Sequence, residues 1–301
     1  MLAKALALTA VGMFLMSAAI AEPPLAAPKS AEPDRPHGVA VVELFTSEGC
    51  SSCPSADRLL ARLASEEKDG ERRVLPLAFH VDYWDYLGWK DRFASKASSE
   101  RQRAYAARFA KTGGRGGVYT PQMIVNGSAE FVGSDETAAR DAIRSALKPT
   151  STFEITPTVA DRKPGEPIHL TATMKAIPDP ASTPITRHDN LLSVALIENG
   201  LSTDIKNGEN SGRTLTHERV VRAFAQKKVE DNKAKVEITI PEGVKEDHAR
   251  LVVYVQDAET SAVRGAVELA LASPRPASAQ PTGSGSPAPV PTQTPNPVQK
   301  K

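Results

Sequence analysis

Val39-Ala40-Val41-Val42-Glu43-Leu44-Phe45-Thr46-Ser47-Glu48-Gly49-Cys50-Ser51-Ser52-Cys53-Pro54 is the stretch around which the chain is organised. The run Val39 to Phe45 has the length and continuous apolar character of a buried strand. Behind Pro54, residues Ala56, Leu59, Leu60, Leu63 and Ala64 recur at the spacing of one helical face,. The cysteine pair is therefore expected where a buried strand hands over to a helix N-terminus. Unsatisfied backbone N–H groups and the helix dipole favour negative charge there. Cys50 is the expected nucleophile with a lowered thiol pKa, and Cys53, deeper in the helix, the expected resolving thiol. Pro54 suits the first helical turn, where its missing N–H costs little.

Three chemistries fit such a pair. Thiol–disulfide exchange is the first, because a Cys-x-x-Cys on a strand-to-helix junction is a strong redox pattern. Cu(I) binding by Cys50 and Cys53, with His80 as a third ligand, is the second, since Cu(I) is soft and accepts low coordination. A structural disulfide or a non-catalytic scaffold is the third, although so short a loop constrains the unfolded chain little. Zinc normally takes four ligands, and the chain has only these two cysteines. No other cofactor is indicated.

With 301 residues, the chain is long enough for two domains,. A formal net charge of +1 gives no reason to expect nucleic acid. Residues 1–21 have the form of a secretory signal: Lys4, an apolar run over Ala5 to Ile20, and the small-x-small site Ala19-Ile20-Ala21,. The apolar run is short for a membrane span. The expectation is an exported protein, bacterial periplasmic or secreted, with no transmembrane segment after cleavage. Residues 22–38 form a Pro-rich lead-in.

Val74 to Val81 reads as a second buried strand, with Pro76 placing it near a sheet edge,. Both tryptophans, Trp84 and Trp89, follow in one short segment, as a cap over the core or a wall for a partner,. Asp91 to Lys111 is expected to be helical, capped by Ser98 or Ser99, and ends at the glycine-rich segment Gly113 to Gly117,. Two apolar runs flank Asn126-Gly127, the signature of a hairpin,. Ser134 is the expected cap of a further helix.

This β–α–β, helical insert, β–β–α order, with Cys-x-x-Cys opening the first helix and Thr120-Pro121 before the hairpin, resembles the thioredoxin fold. More closely, the chain is similar to a family of secreted bacterial proteins described only as a domain of unknown function with a thioredoxin-like fold. The matching stretches are Val42 to Pro54, Phe79-His80-Val81-Asp82-Tyr83-Trp84 and Tyr119-Thr120-Pro121-Gln122, and the likeness spans about Val39 to Ala270. The resemblance implies a cis Pro121 facing the cysteines and a Thr120 that offers backbone groups to an extended substrate. It also implies a buried acid on the first strand, for which Glu43 is the candidate proton relay; an ordinary solvent-facing glutamate is the alternative. Two departures stand out: Gly49 replaces the thioredoxin tryptophan, and Ser51-Ser52 separates the cysteines.

Beyond Pro149 the pattern changes to short alternating runs, at Phe153 to Val159, Ile168 to Met174, Leu191 to Ile197, Lys235 to Ile240, Leu251 to Val255 and Val263 to Leu269. Their spacing suggests a β-sandwich. Asn207 to His217, rich in Gly and Asn, is either a plain turn or a loop that folds over the first domain. The expected organisation is therefore a thioredoxin-like α/β domain over 39–149, an all-β sandwich-like domain over 150–272, and a Pro/Ser/Thr-rich disordered tail over 273–301. The expected partners are dithiol- or disulfide-bearing proteins or small thiols.

Overall fold

A computed structural model describes residues 38–66, 73–114, 116–148, 151–178 and 189–271. The expected signal at 1–21, nearly all of the lead-in at 22–38, and the tail at 273–301 lie outside these described residues. The fold is mixed α/β, built on one large sheet with few helices. No helix among the described residues is long and apolar enough to cross a membrane.

The opening stretch forms strand β1 (Ala40–Thr46), a turn, and helix α1 (Cys53–Glu66). Next come β2 (Val74–His80), α2 (Lys96–Lys111), the hairpin β3 (Gln122–Val125) and β4 (Ala129–Val132), and α3 (Glu136–Ala146). Two capping expectations are corrected. Helix α2 starts later than Asp91, with Ser95 as its cap, accepting from the Ser98 N–H at 3.1 Å. Asp135, not Ser134, caps α3 by accepting from the Ala138 N–H. In both cases the capping side chain sits three residues before the orphan donor it satisfies. Asn126 and Gly127 both adopt positive φ, as a tight two-residue hairpin turn demands,.

The remaining strands are β5 (Phe153–Val159), β6 (Ile168–Ala176), β7 (Asn190–Glu198), β8 (Leu201–Asp204), β9 (Thr214–His217), β10 (Val220–Lys228), β11 (Lys233–Ile238), β12 (Ala249–Asp257) and β13 (Val263–Ala270). Eight strands make one sheet, in the order β13-β12-β7-β10-β2-β1-β3-β4. β11-β6-β5 form a smaller sheet, and β8-β9 a separate two-stranded hairpin.

The junction within the large sheet is the short parallel pairing of β10 with β2 at Val220 and Ala78. The Ala78 N–H donates to the Arg219 carbonyl at 2.9 Å. The buried Arg219 guanidinium donates to the Pro76 carbonyl at 2.9 Å and pairs with Glu268 at 2.6 Å. Pro76 is therefore not at a sheet edge as expected. It is tolerated between β1 and β10 because the side of β2 facing β10 carries only this brief ladder, so the missing N–H breaks little.

Alternation along the strands sorts the core. Ala40, Val42 and Leu44 of β1 pack with Leu59, Leu60 and Leu63 of α1 and with Ala139 and Ile143 of α3. Val41 and Phe45, on the other face, meet Tyr105 and Phe109 of α2 together with Ala195, Ile197, Val252 and Tyr254. Leu192, Val194 and Leu196 of β7, with Leu251, Val253 and Val255 of β12, face the small sheet through Ile168, Leu170 and Met174 of β6. Each of these large side chains contributes about 1.5–3 kcal/mol by leaving water. A strand apolar on both faces, such as β1, needs covering layers on both, and α1 and α2 supply them.

Candidate functional site

Cys50 lies in the turn after β1 and Cys53 is the first residue of α1; a disulfide joins them. The turn is narrow for a reason. A Cβ added to Gly49 would lie 3.2 Å from the Trp84 Cβ and 3.5 Å from the Trp84 carbonyl oxygen, so Trp84 occupies the space that a larger residue at 49 would need. The Trp84 Nε1–H donates to Thr120 Oγ1 at 2.8 Å, tying the cysteine turn to the Thr120–Pro121 loop. The Thr120–Pro121 peptide bond is cis. Pro121 is buried, and a Cβ at Gly133 would come within 3.1 Å of Pro121 and 3.2 Å of Ala56. Pro121 thus packs beside the first turn of α1. Among the described residues no backbone hydrogen bond engages Thr120.

Neither cysteine is exposed to solvent; both stand at 0%. The loop between β8 and β9 lies against this turn. Asn210 Nδ2 donates to the carbonyls of Glu48 and Cys50, both at 2.9 Å. The Ser51 N–H donates to Glu209 Oε2 at 3.0 Å, and Ser51 holds the Glu209 carboxyl below the usual carboxylate range. Of the two readings of Asn207 to His217, folding over the cysteine segment is the one observed.

A cluster of ionisable groups underlies the turn. Asp57 lies one helical turn after Cys53, on the same face of α1, with its side chain inclined toward the helix start. Its carboxyl accepts from Thr46 Oγ1 at 2.8 Å. The residue keeps some solvent contact, yet its carboxyl group is surrounded by protein, and burial pushes its pKa up against the opposing pull of His80 and His217. His80 Nδ1 is 2.6 Å from Asp91 Oδ2, and the His80 and His217 rings meet edge to face at 5.1 Å. Burial alone lowers the His80 pKa, but the Asp91 carboxylate more than reverses this and the net direction is up. Burial likewise raises Asp91; His80 and the Glu48 and Phe93 N–H groups outweigh it, and the net direction is down.

Glu48 is the hub of this cluster. Its N–H donates to Asp91, Oε1 is 3.1 Å from His217 Nε2, Oε2 accepts from Trp89 Nε1 at 2.9 Å, and its carbonyl accepts from Asn210. Both tryptophans are therefore hydrogen-bonded into the site. His80 Nε2 and His217 Nδ1 are buried and have no hydrogen-bond partner among the described residues.

Of the residues expected at the site, Cys50, Cys53, Thr120 and Pro121 come together. Glu43 does not join them. It is buried rather than solvent-facing, at 1% exposure, but lies on the α2 face of the sheet, away from α1. There Arg101 holds it through Nε at 2.6 Å and Nη2 at 2.7 Å, and Tyr105 OH donates to it at 2.7 Å. Alternation along β1 puts an odd-numbered residue on that face, so Glu43 is not placed to relay a proton to the cysteines. His80, the third ligand of the Cu(I) alternative, has its Nδ1 on Asp91. Among the described residues no three His, Cys, Asp or Glu converge to hold a metal ion. Asp57, Glu48 and Asp91 were not picked out from the sequence, and His217 and Asn210 only as members of the stretch from Asn207 to His217. The available signal was the carboxylates at 48 and 57, flanking the motif next to otherwise apolar packing positions.

The family model for Protein of unknown function (DUF1223) matches residues 41–256. The chain belongs to this family. The match spans the cysteine turn, the Thr120–Pro121 loop and the covering hairpin. No curated protein matches the chain. Among solved structures, it is similar to a crystal structure of a protein from Agrobacterium tumefaciens, at 28% identity and a TM-score of 0.51, covering 78% of this chain and 96% of that one. It is also similar to HBP35 of Porphyromonas gingivalis, at 16% identity and a TM-score of 0.56, covering 83% of this chain and 81% of that one. The second likeness concerns the fold alone.

Proposed function

We propose that this member of the family is an exported, thioredoxin-like protein that exchanges thiols and disulfides through Cys50 and Cys53. The observation that carries the reading is the Cys50–Cys53 disulfide at the start of α1, with Pro121 packed beside that helix turn and Asp57 one turn below. The signal-like residues 1–21 support export to a compartment where disulfides persist.

In the exchange, a partner thiolate attacks the Cys50 sulfur and the Cys50–Cys53 bond breaks. The electron pair leaves on Cys53, which takes a proton. A second partner thiol attacks the mixed disulfide and releases Cys50. Two electrons and two protons pass from the partner dithiol to the cysteine pair, and the partner leaves as a disulfide. In the reverse direction Cys50 attacks and Cys53 resolves. The buried Cys53 needs a nearby group to take or return its proton. Asp57 suits that role by its position and its raised pKa, and the unpartnered His80 and His217 nitrogens give the proton an onward place. Thr120 offers the backbone groups on which a partner chain aligns.

Trapping tests the reading. Cys53→Ala, expressed with its export signal, should form a mixed disulfide with partners through Cys50. A reducible adduct on a non-reducing gel, lost in the Cys50→Ala/Cys53→Ala double variant, is the expected result. A folded Cys53→Ala protein that forms no adduct with any protein or small thiol would overturn it.

A further inference from the structure

We propose that the β8–β9 hairpin, Leu201 to His217, is a lid that occupies the docking groups of the cysteine site. The partner it keeps out is an extended polypeptide. This rests on the exchange reading above and adds its regulation and the class of its partner.

Exchange requires a thiolate to reach a sulfur along the S–S axis, yet neither cysteine has any exposed surface,. The β8–β9 loop lying against their turn is not a close-packed apolar layer. From Lys206 to Thr214 the only buried residue is Asn210, and its neighbours on both sides are exposed. Asn210 works as a plug that makes three of the four hydrogen bonds open to its amide,. Its amide N–H groups go to the Glu48 and Cys50 carbonyls, and its Oδ1 accepts from Arg213 at 3.0 Å. Glu209 takes the Ser51 N–H. The hairpin stem has anchors of its own, His217 on Glu48 and Arg92 Nη2 donating to the Ser202 carbonyl at 2.7 Å. The plug can therefore withdraw while the stem stays anchored.

The groups that the lid occupies indicate what replaces it. Glu48 O, Cys50 O and Ser51 N–H are two acceptors and one donor within four successive residues. The two carbonyls belong to fully buried residues and would cost free energy if left unpaired, whereas the Ser51 N–H lies at an exposed position,. The backbone of an extended chain carries donors and acceptors at matching intervals, as in other recognition by backbone pairing. A small thiol opens the lid without compensating these groups; a polypeptide compensates them. The Asn210 amide is in this sense an internal stand-in for a partner's peptide groups.

The test uses the full chain in its oxidised form and measures reduction of Cys50–Cys53 by alkylation and mass shift. Two reductants are compared. Dithiothreitol supplies two electrons and ends as its cyclic disulfide; an extended decapeptide with one cysteine ends as a mixed disulfide on Cys50, leaving Cys53 as the thiol. Asn210→Ala should speed reaction with dithiothreitol by about tenfold or more, the rate equivalent of losing two buried hydrogen bonds. Its gain with the peptide should be at least as large. Glu209→Ala, at an exposed position, should give a smaller gain in the same direction, and it keeps the test open should Asn210→Ala fail to fold.

Equal rates, within twofold, for wild type and a folded lid variant with both reductants would overturn the lid. A gain confined to dithiothreitol would overturn the polypeptide as the partner class. If the variants gain with both probes but Cys53→Ala traps nothing, the lid stands and the exchange reading falls.

Discussion

Replacing Arg101 by methionine should destabilise the protein more than any surface substitution. The Arg101 side chain is 8% exposed and its partner Glu43 is 1% exposed. Besides its two contacts with Glu43, the guanidinium donates to Tyr105 OH and Tyr254 OH at 2.9 Å and to Gln256 Oε1 at 3.1 Å. It also lies 4.5 Å from the Phe224 ring centroid. Methionine replaces the apolar stem but leaves the Glu43 carboxylate buried without its cation. Breaking a buried pair from one side costs about 3–5 kcal/mol. At about 2–4 °C per kcal/mol for a unit of this size, the thermal midpoint should fall by about 6–20 °C. The double variant Glu43→Leu/Arg101→Met removes both charges and should recover at least half of that loss. Scanning calorimetry of wild type, single and double variants makes the comparison. A single variant within about 1 kcal/mol of wild type would refute the reasoning. So would a double variant no more stable than the single, because the argument rests on a stranded charge rather than on lost packing.

Other expectations follow from the site. The raised His80 pKa makes its contribution to stability complete below 6.5 and lost as pH rises through the folded value; the lowered Asp91 pKa makes that contribution complete above 3.8 and lost as pH falls,. The midpoint difference between wild type and His80→Gln should therefore be largest between about pH 4 and 6.5 and shrink on either side, and a flat difference would refute the pairing. Asp57 binds its proton more tightly when folded, so its ionisation opposes folding as pH rises above 3.8,. Asp57→Asn should raise the midpoint at pH 7 while slowing resolution of the mixed disulfide by about tenfold or more, in stopped-flow against wild type. Gly133→Ala would put a Cβ 2.6 Å from the Leu44 side chain and 3.1 Å from Pro121, and overpacking there should cost about 1–3 kcal/mol by chemical denaturation,.

The parts of the fold written in local periodicity were legible. The β1–α1 junction, the Asn126-Gly127 hairpin and six of the later strands each carry their own pattern. β10 did not, because Arg222 and the polar run from Gln226 interrupt its apolar residues; its placement is set by partners in β7 and β2 instead. The site divides in the same way. Cys50, Cys53 and Pro121 are local motifs. Glu43 was legible as an unusual carboxylate in an apolar strand, but its use was not, since Arg101 and Tyr254 stand 58 and 211 residues away. Asn210, 160 residues from Cys50, is an ordinary loop residue until the chain brings it to the turn.

The brief ladder between Val220 and Ala78 has a consequence for handling the protein in pieces. Strands β2 and β10 are neighbours only across that contact, with Arg219 as its clasp. A fragment ending near Pro149 would leave the free side of β2 as a naked sheet border, and a fragment beginning there would do the same to β10. Unprotected strand borders recruit other chains, so either fragment should be sticky in isolation. Efforts to excise the cysteine-bearing half as a minimal reagent would then meet self-association before they met any question of chemistry.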